Sequence, residues 1–268
     1  MTARRLNSRH VERIWGRRDL PPAFAPPAPG AGPVGEIWFG DDSGRDSELL
    51  VKYLFTSGRL SVQVHPDDAA ARARGHPRGK DEAWYVVSAE PGAAIGLGLT
   101  HQVSKEALRA AALDGSIETL LDWRPVRAGD SFYSPAGTIH AIGGGLALIE
   151  IQQNLDLTYR LYDYGRPREL HLEDALEVAD RGPWTPFAPR DVGPGRTRLA
   201  AAPAFVLERW TGSGEAPADS LIVPLASAGS IDGQPLAAGT VWRVEGSAVI
   251  DGADALVASP VEAPTASS

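Results

Sequence analysis

Four side chains on three separated stretches carry the chemistry this sequence offers. The stretch Leu60-Ser61-Val62-Gln63-Val64-His65-Pro66-Asp67-Asp68 alternates polar and apolar residues. As an extended strand it turns Gln63 and His65 to one face and Val62 and Val64 to the other. Glu82 follows in Gly79-Lys80-Asp81-Glu82-Ala83-Trp84-Tyr85, and His140 in Gly137-Thr138-Ile139-His140-Ala141-Ile142. One amide oxygen, two imidazoles and one carboxylate form a donor set that a divalent transition metal such as zinc accepts. Two imidazoles and a carboxylate also suit iron(II). Taken singly, Glu82 reads as a solvated carboxylate, Gln63 as a cap on a strand edge, and His10, His76, His101 and His171 as ordinary hydrogen-bonded residues. Together, the three stretches are expected to converge on one ion.

The elements that must position them are short. With 29 Gly and 22 Pro in 268 residues, strands joined by turns are favoured over long helices. Residues around Trp15 and Trp38 read as strands that anchor the amino end, with both indoles in the core or at its rim. Between them, residues 21–35 are Pro-, Ala- and Gly-rich and read as an extended loop. Leu49 to Phe55 and Leu60 to Val64 read as two strands across a Thr56-Ser57-Gly58-Arg59 turn. Asp67 to Arg74 is a short helical excursion, and Ala83 to Val87 and Ala94 to Leu97 are strands. Ser104 can cap a helix from Lys105 to Leu113, with a second from Ser116 to Leu121, a wall or lid beside the sheet. Strands return from Val126, include Ala147 to Gln152 and Leu157 to Tyr164, and lead to an amphipathic helix from His171 to Asp180. Residues 183–196 read as a linker. Beyond it come strands at Phe205 to Trp210, Leu221 to Leu225, Thr240 to Val244 and Ala255 to Ala258, then a frayed tail from Ser259. No histidine follows His171, so this last unit cannot repeat the imidazole chemistry of the first.

Composition narrows the function classes. A net charge of −8 argues against a nucleic-acid partner, which needs a basic footprint, but leaves room for a phosphorylated small molecule held by a few local cations. Without cysteine there are no disulfides and no thiolate ligands. The amino end has no apolar core of signal-peptide length, and no stretch approaches the roughly 18 apolar residues of a membrane span. A soluble, cytoplasmic protein is expected, with no membrane partner. The oligomeric state stays open, with a monomer compatible.

Gly129, five residues, then Pro135-Ala136-Gly137-Thr138-Ile139-His140 matches the second cupin signature, G-x5-P-x-G-x2-H. The Pro-Gly turn tightens the corner so that the following His points into a barrel. The first signature is departed from: Gln63-Val64-His65 stands where many cupins have His-x-His, and Glu82 comes late, after an inserted loop. That departure leads to a narrower likeness. The chain resembles the type I mannose-6-phosphate isomerases in their short bacterial form. The matching pieces are the three stretches above with Arg13-Ile14-Trp15-Gly16, Glu150-Ile151-Gln152-Gln153-Asn154, Thr158-Tyr159-Arg160-Leu161-Tyr162-Asp163-Tyr164 and Arg168-Glu169-Leu170-His171-Leu172. They cover most of residues 10–182, in the family's order.

The resemblance implies a mainly β fold, a cupin-type jelly-roll barrel over 1–182 with a helical insertion near 104–123. A reduced second β-barrel unit, degenerate and cupin-like, is expected over 183–268. It implies one zinc per chain on His65, Glu82 and His140 with Gln63 as fourth ligand, a catalytic Arg160, and an active-site Lys80. Lys80 and Glu82, two apart on a strand, would share a face, and Lys80 and Arg160 would bind the sugar phosphate. The implied reaction interconverts mannose 6-phosphate and fructose 6-phosphate through an enediolate, with Lys80 and Asp163 as guesses for the proton carrier. The alternatives are a non-haem iron cupin oxygenase, an isomerase of another sugar phosphate, and a non-catalytic sugar-phosphate-binding cupin.

Overall fold

The computed structural model describes residues 2–24, 29–40 and 47–261. In chain order the elements begin with β1 (Ala3–Arg5), β2 (Asn7–Arg17), β3 (Val34–Gly40), β4 (Leu49–Thr56), β5 (Val62–Val64) and α1 (Asp68–Ala73). They continue with β6 (Glu82–Ala89), β7 (Ala94–Leu99), α2 (Lys105–Asp114), α3 (Ile117–Leu120), β8 (Leu121–Pro125) and β9 (Ser131–Ser134). Then come β10 (His140–Ile142), β11 (Leu146–Gln153), β12 (Tyr159–Tyr162), α4 (Leu172–Val178), β13 (Arg190–Gly193) and β14 (Arg196–Ala201). The last are β15 (Phe205–Ala216), β16 (Leu221–Pro224), β17 (Ser230–Ile231), β18 (Gln234–Pro235), β19 (Trp242–Val244) and β20 (Ala248–Pro260). Four residues of the Pro-rich loop, 25–28, and the tail from 262 lie outside the described residues.

Three antiparallel sheets result. One runs β2-β3-β4-β11-β6-β9, a second β12-β5-β10-β7-β8, and the third carries β1 with β13 to β20. The first two face each other as the walls of a barrel. Alternation decides what each face meets. From the six-stranded sheet, Ile37, Phe39, Val51, Tyr53, Phe55, Ile149 and Ile151 point outward, into a core shared with Phe205, Leu207, Leu221 and Leu256 of the carboxyl-terminal sheet. Its other face turns Trp84, Leu54 and Leu148 inward against Ile95, Leu97 and Ile142 of the five-stranded sheet. The five-stranded sheet in turn lays Val62, Val64, Ala141 and Leu161 against Leu108, Ile117 and Leu176 of α2, α3 and α4. The helical insertion therefore covers the side of that sheet opposite Gln63 and His65. It is a wall, not a lid.

Ser104 caps α2 as expected, its side chain accepting from the Ala107 amide at 3.1 Å, and Gly115 closes it in the left-handed region. Asp67 caps α1 in the same way, at 2.8 Å from the Ala70 amide. Two expectations are corrected. The 49–55 and 60–64 segments are not hairpin partners: β4 lies in the six-stranded sheet and β5 in the other. The turn between them is held by other strands, with the amides of Ser57 and Gly58 donating to Trp15 and that of Leu60 to Ile142, so it crosses from wall to wall. The linker at 183–196 contains β13, which pairs with β14. Pairing of β1 with β19 puts residues 3–5 into the carboxyl-terminal sheet. Among the described residues no helix is long and apolar enough to cross a membrane.

Candidate metal centre and active site

Strand register sets the site. On the five-stranded wall, β5 lies between β10 and β12, so Gln63 faces His140 on one side and Arg160 on the other. Across the barrel, β6 brings Glu82, and His65 follows directly after β5. Gly137, at φ +89°, makes the corner before β10, where a Cβ would stand 3.1 Å from the Val178 carbonyl oxygen. That corner aims His140 inward, as the Pro-Gly signature suggests.

His65, Glu82 and His140 are fully buried, and their ligand atoms all lie within 4.8 Å of one another. His65 Nε2 is 3.3 Å from Glu82 Oε1, and His140 Nε2 is 3.5 Å from Glu82 Oε2. Ligand atoms of a tetrahedral zinc, each about 2.0–2.1 Å from it, stand about 3.4 Å apart. The spacing fits one ion.

The protonation states fit as well. Each imidazole has Nδ1 2.9 Å from a carbonyl oxygen, His65 to Leu157 and His140 to Thr138. A carbonyl only accepts, so Nδ1 carries the proton and the Nε2 lone pairs face Glu82, the arrangement a metal-bound histidine uses. Burial, then the Lys80 charge, pushes the His65 imidazole down to about 3, and burial lowers His140 too. Burial works to raise the Glu82 carboxyl, but the Lys80 charge outweighs it and helps hold it well below its ordinary value. Both Glu82 oxygens are buried without a hydrogen-bond donor. Lys80 Nζ comes within 3.0 Å of Oε1, outside hydrogen-bond alignment. A buried anion with orphaned acceptors beside two imidazole Nε2 lone pairs, which meet as donors Gln63 Nε2 at 3.2 Å and Lys80 Nζ at 3.4 Å, is a site that a cation completes.

Gln63 stands at the edge of this set. Its Nε2 is 3.2 Å from His140 Nε2, while its Oε1 accepts from Ser61 at 3.1 Å. Rotation of the amide by half a turn would exchange the two and present the oxygen to the ion. A small enclosed cavity of about 70 Å³ opens beside the cluster, lined by Gln63, Glu82, Lys80 and Arg160. The structure thus clusters His65, Glu82 and His140 and lines the adjoining cavity with Gln63, Lys80 and Arg160. Burial and the nearby Arg168 lower the Arg160 pKa, its Nε is buried without a partner, and among the described residues no carboxylate pairs with it.

Asp163 does not join them. Arg168 grips it at 2.6 Å through each oxygen and Arg166 at 2.8 Å. His171 stays outside the cavity as well, beside the Arg160 backbone.

Sequence reasoning passed over other charges lining the cavity, among them Lys52, Glu150, Glu36 and Arg168. Lys52 and Glu150 face each other across β4 and β11, with Nζ 3.2 Å from Oε1, and the Trp84 indole donates to Glu150 Oε2 at 3.0 Å. Burial and the Glu82 charge push the Glu150 carboxyl up, against Lys52 and Lys80. A signal was present: one charge in the middle of Leu49-Leu50-Val51-Lys52-Tyr53-Leu54-Phe55 and one in Leu146-Ala147-Leu148-Ile149-Glu150-Ile151, strands otherwise apolar. The other cavity, about 530 Å³, lies between the carboxyl-terminal unit and Tyr85, Ser131 and Phe132. Its arginines, Arg124 and Arg209, are already paired with Asp122 and Asp254.

No protein-family model matches the chain. It is 42% identical over 186 residues to a mannose-6-phosphate isomerase of Streptococcus mutans, covering 66% of this chain and 58% of that protein. It is 41% identical over 160 residues to the mannose-6-phosphate isomerase ManA of Bacillus subtilis, covering 55% of this chain and 50% of that one. The matched segments thus span only about half the length of these curated relatives, between 46% and 58%. The crystal structure of the mannose 6-phosphate isomerase from Bacillus subtilis superposes with a TM-score of 0.79 at 25% identity, over 96% of this chain and 99% of that one. A zinc-bound mannose 6-phosphate isomerase shares the fold, with a TM-score of 0.71 at 13% identity over 96% of this chain and 99% of that one.

Proposed function

As a relative of the mannose-6-phosphate isomerases, in sequence over 66% of its length and in fold over 96%, this chain is, we propose, a zinc-dependent aldose–ketose isomerase. It interconverts mannose 6-phosphate and fructose 6-phosphate in the cytoplasm. The observation that carries this reading is the buried His65, Glu82 and His140 triad, whose Glu82 lines the same cavity as Lys80 and Arg160.

His65, Glu82 and His140 hold one zinc per chain, with Gln63 as fourth ligand after its amide turns. Bound there, zinc supplies a Lewis acid for sugar oxygens. One carboxylate among neutral donors offsets only part of its charge, so the site stays electrophilic. Arg160 keeps its charge at any working pH and stabilises negative charge that develops on the substrate as an enediolate forms. Lys80 holds the anionic sugar beside Glu82. The proton on the carbon next to the carbonyl needs a positioned side chain to carry it. We assign this role to Glu150, a buried carboxylate that lines the same cavity as Glu82, Lys80 and Arg160. Lys52 and the Trp84 indole fix its orientation, and burial with the Glu82 charge raises its carboxyl, which favours its taking up a proton.

A coupled assay on mannose 6-phosphate, with and without chelator, tests the reading. Turnover lost to the chelator and restored by zinc is expected, with about one zinc per purified chain. No turnover after zinc is restored would reject the isomerase, and stoichiometric iron would point to oxygenase chemistry.

A further inference from the structure

Lys80 and Glu82 face the cavity, and Asp81 between them points the other way, yet its side chain is buried at 7% exposure. A charged group on the far side of a ligand strand has no part in the proposed chemistry. Its partners say what it does. Asp81 Oδ1 accepts from the Ala136 amide at 2.8 Å, within the Pro135-Ala136-Gly137 corner that aims His140. The Tyr133 hydroxyl, in β9 just before that corner, also interacts with this carboxylate. Its backbone is locked on both sides by Gln153: the Asp81 amide donates to Gln153 Oε1 at 2.9 Å, and the Gln153 amide to the Asp81 carbonyl at 3.1 Å. Gln153 Nε2 then donates to Asp68 Oδ1 at 2.9 Å, which also accepts the Gly79 amide at 2.7 Å. Gly79 is required there, because a Cβ would stand 2.4 Å from the Asp67 carbonyl carbon. The Gly137 amide closes the ring by donating to the His65 carbonyl at 2.8 Å.

This network ties the segment after His65, the segment carrying Lys80 and Glu82, and the corner before His140 to one another from behind. We propose that Asp81 is the positioning residue of the metal centre, with Gln153 and Asp68 as its relay: it sets the Glu82–His140 spacing before any ion binds. The inference rests on the metal reading above. Ligands held in place need not be gathered on binding, so the network should appear as metal affinity, the quantity that supporting hydrogen bonds tune by about 10- to 100-fold.

The test is zinc affinity of the full chain, measured by competition with a chromophoric chelator, beside its melting temperature without metal. Asp81→Ala is expected to weaken zinc binding by about 10- to 100-fold. Asp81→Asn keeps an acceptor for the Ala136 amide and should recover most of that loss. Tyr133→Phe removes the hydroxyl that interacts with Asp81 but keeps the ring against Phe205, and should weaken zinc binding by a few-fold; it serves where Asp81→Ala does not fold. A core variant outside the network, Leu148→Ala, controls for stability alone: it should lower the melting temperature and leave zinc affinity unchanged. Parent-like zinc affinity in the Asp81 and Tyr133 variants would overturn the proposal while the metal reading stands. A parent chain that binds no zinc would overturn both.

Discussion

The two halves of the molecule repeat one device and use it differently. In the first barrel, Glu36 accepts from the Trp38 indole at 2.8 Å and from Arg13 at 2.8 Å, and Arg9 lies over the Trp38 ring at 4.5 Å. In the second, Glu208 accepts from the Trp210 indole at 2.9 Å and from Arg196 and Arg198, and Arg196 lies over the Trp210 ring at 4.4 Å. Even the register agrees, with Arg9 opposite Trp38 and Arg196 opposite Trp210. What the strands carry next to this clamp differs. Next to Trp38, Lys52, Glu150 and Glu82 line a polar cavity. Next to Trp210, Ile222, Trp242, Val244, Ile250 and Val257 fill the interior. A carboxylate gripped by an indole and an arginine is thus common to both halves. Chemistry needs the further step of leaving the middle polar and unfilled.

The sharpest way to break this contrast is at the ligands. His140→Ala should lose zinc and lower turnover on the order of 1,000-fold or more, read by metal content and the coupled assay. Full activity without metal would erase the distinction between the barrels. Next, Arg160→Ala should keep zinc and lose about 100- to 1,000-fold in kcat, and unchanged kcat would remove this residue from the mechanism. Glu36→Gln and Glu208→Gln form the direct pair. Each should cost about 1–3 kcal/mol in denaturant unfolding, but only Glu36→Gln should also lower kcat/KM. Equal catalytic losses would mean that the second clamp reaches the site after all.

The smallest effect concerns pH. Burial works to raise the Glu208 carboxyl, but hydrogen bonds from Arg196, Trp210 and Arg198 outweigh it and lower it below its ordinary value. A depressed carboxylate stabilises the fold above its unfolded pKa, and that stabilisation is lost as pH falls through the folded value. The gap in melting temperature between the parent and Glu208→Gln should therefore be full near pH 7 and shrink below about pH 4.

How much of this was legible in the sequence depended on distance along the chain. Alternation around Gln63 and His65, and the Pro-Gly corner before His140, are local patterns, and the structure realises both. The helix cap at Ser104 was readable for the same reason. Partnership between strands was not. The turn at 56–59 looks like a hairpin because nothing within it shows that its amides bond to Trp15 and its exit to Ile142. Lys52 and Glu150 are 98 positions apart in number and adjacent in space, so neither declares its partner. Asp81 hid for another reason. In a run of Lys, Asp and Glu, the middle charge looks solvated until the corner at Ala136 is folded against it.

One more consequence follows from the apolar layer between the six-stranded sheet and the strands after residue 196. Tyr53, Phe55, Ile149 and Ile151 are sealed by Phe205, Leu207 and Leu256, residues contributed from opposite ends of the numbering. Neither side can come apart without wetting the other. Heating should then melt the whole molecule as one cooperative event, its calorimetric enthalpy matching the van't Hoff value. A barrel emptied for catalysis would owe its persistence to a companion that never touches the sugar.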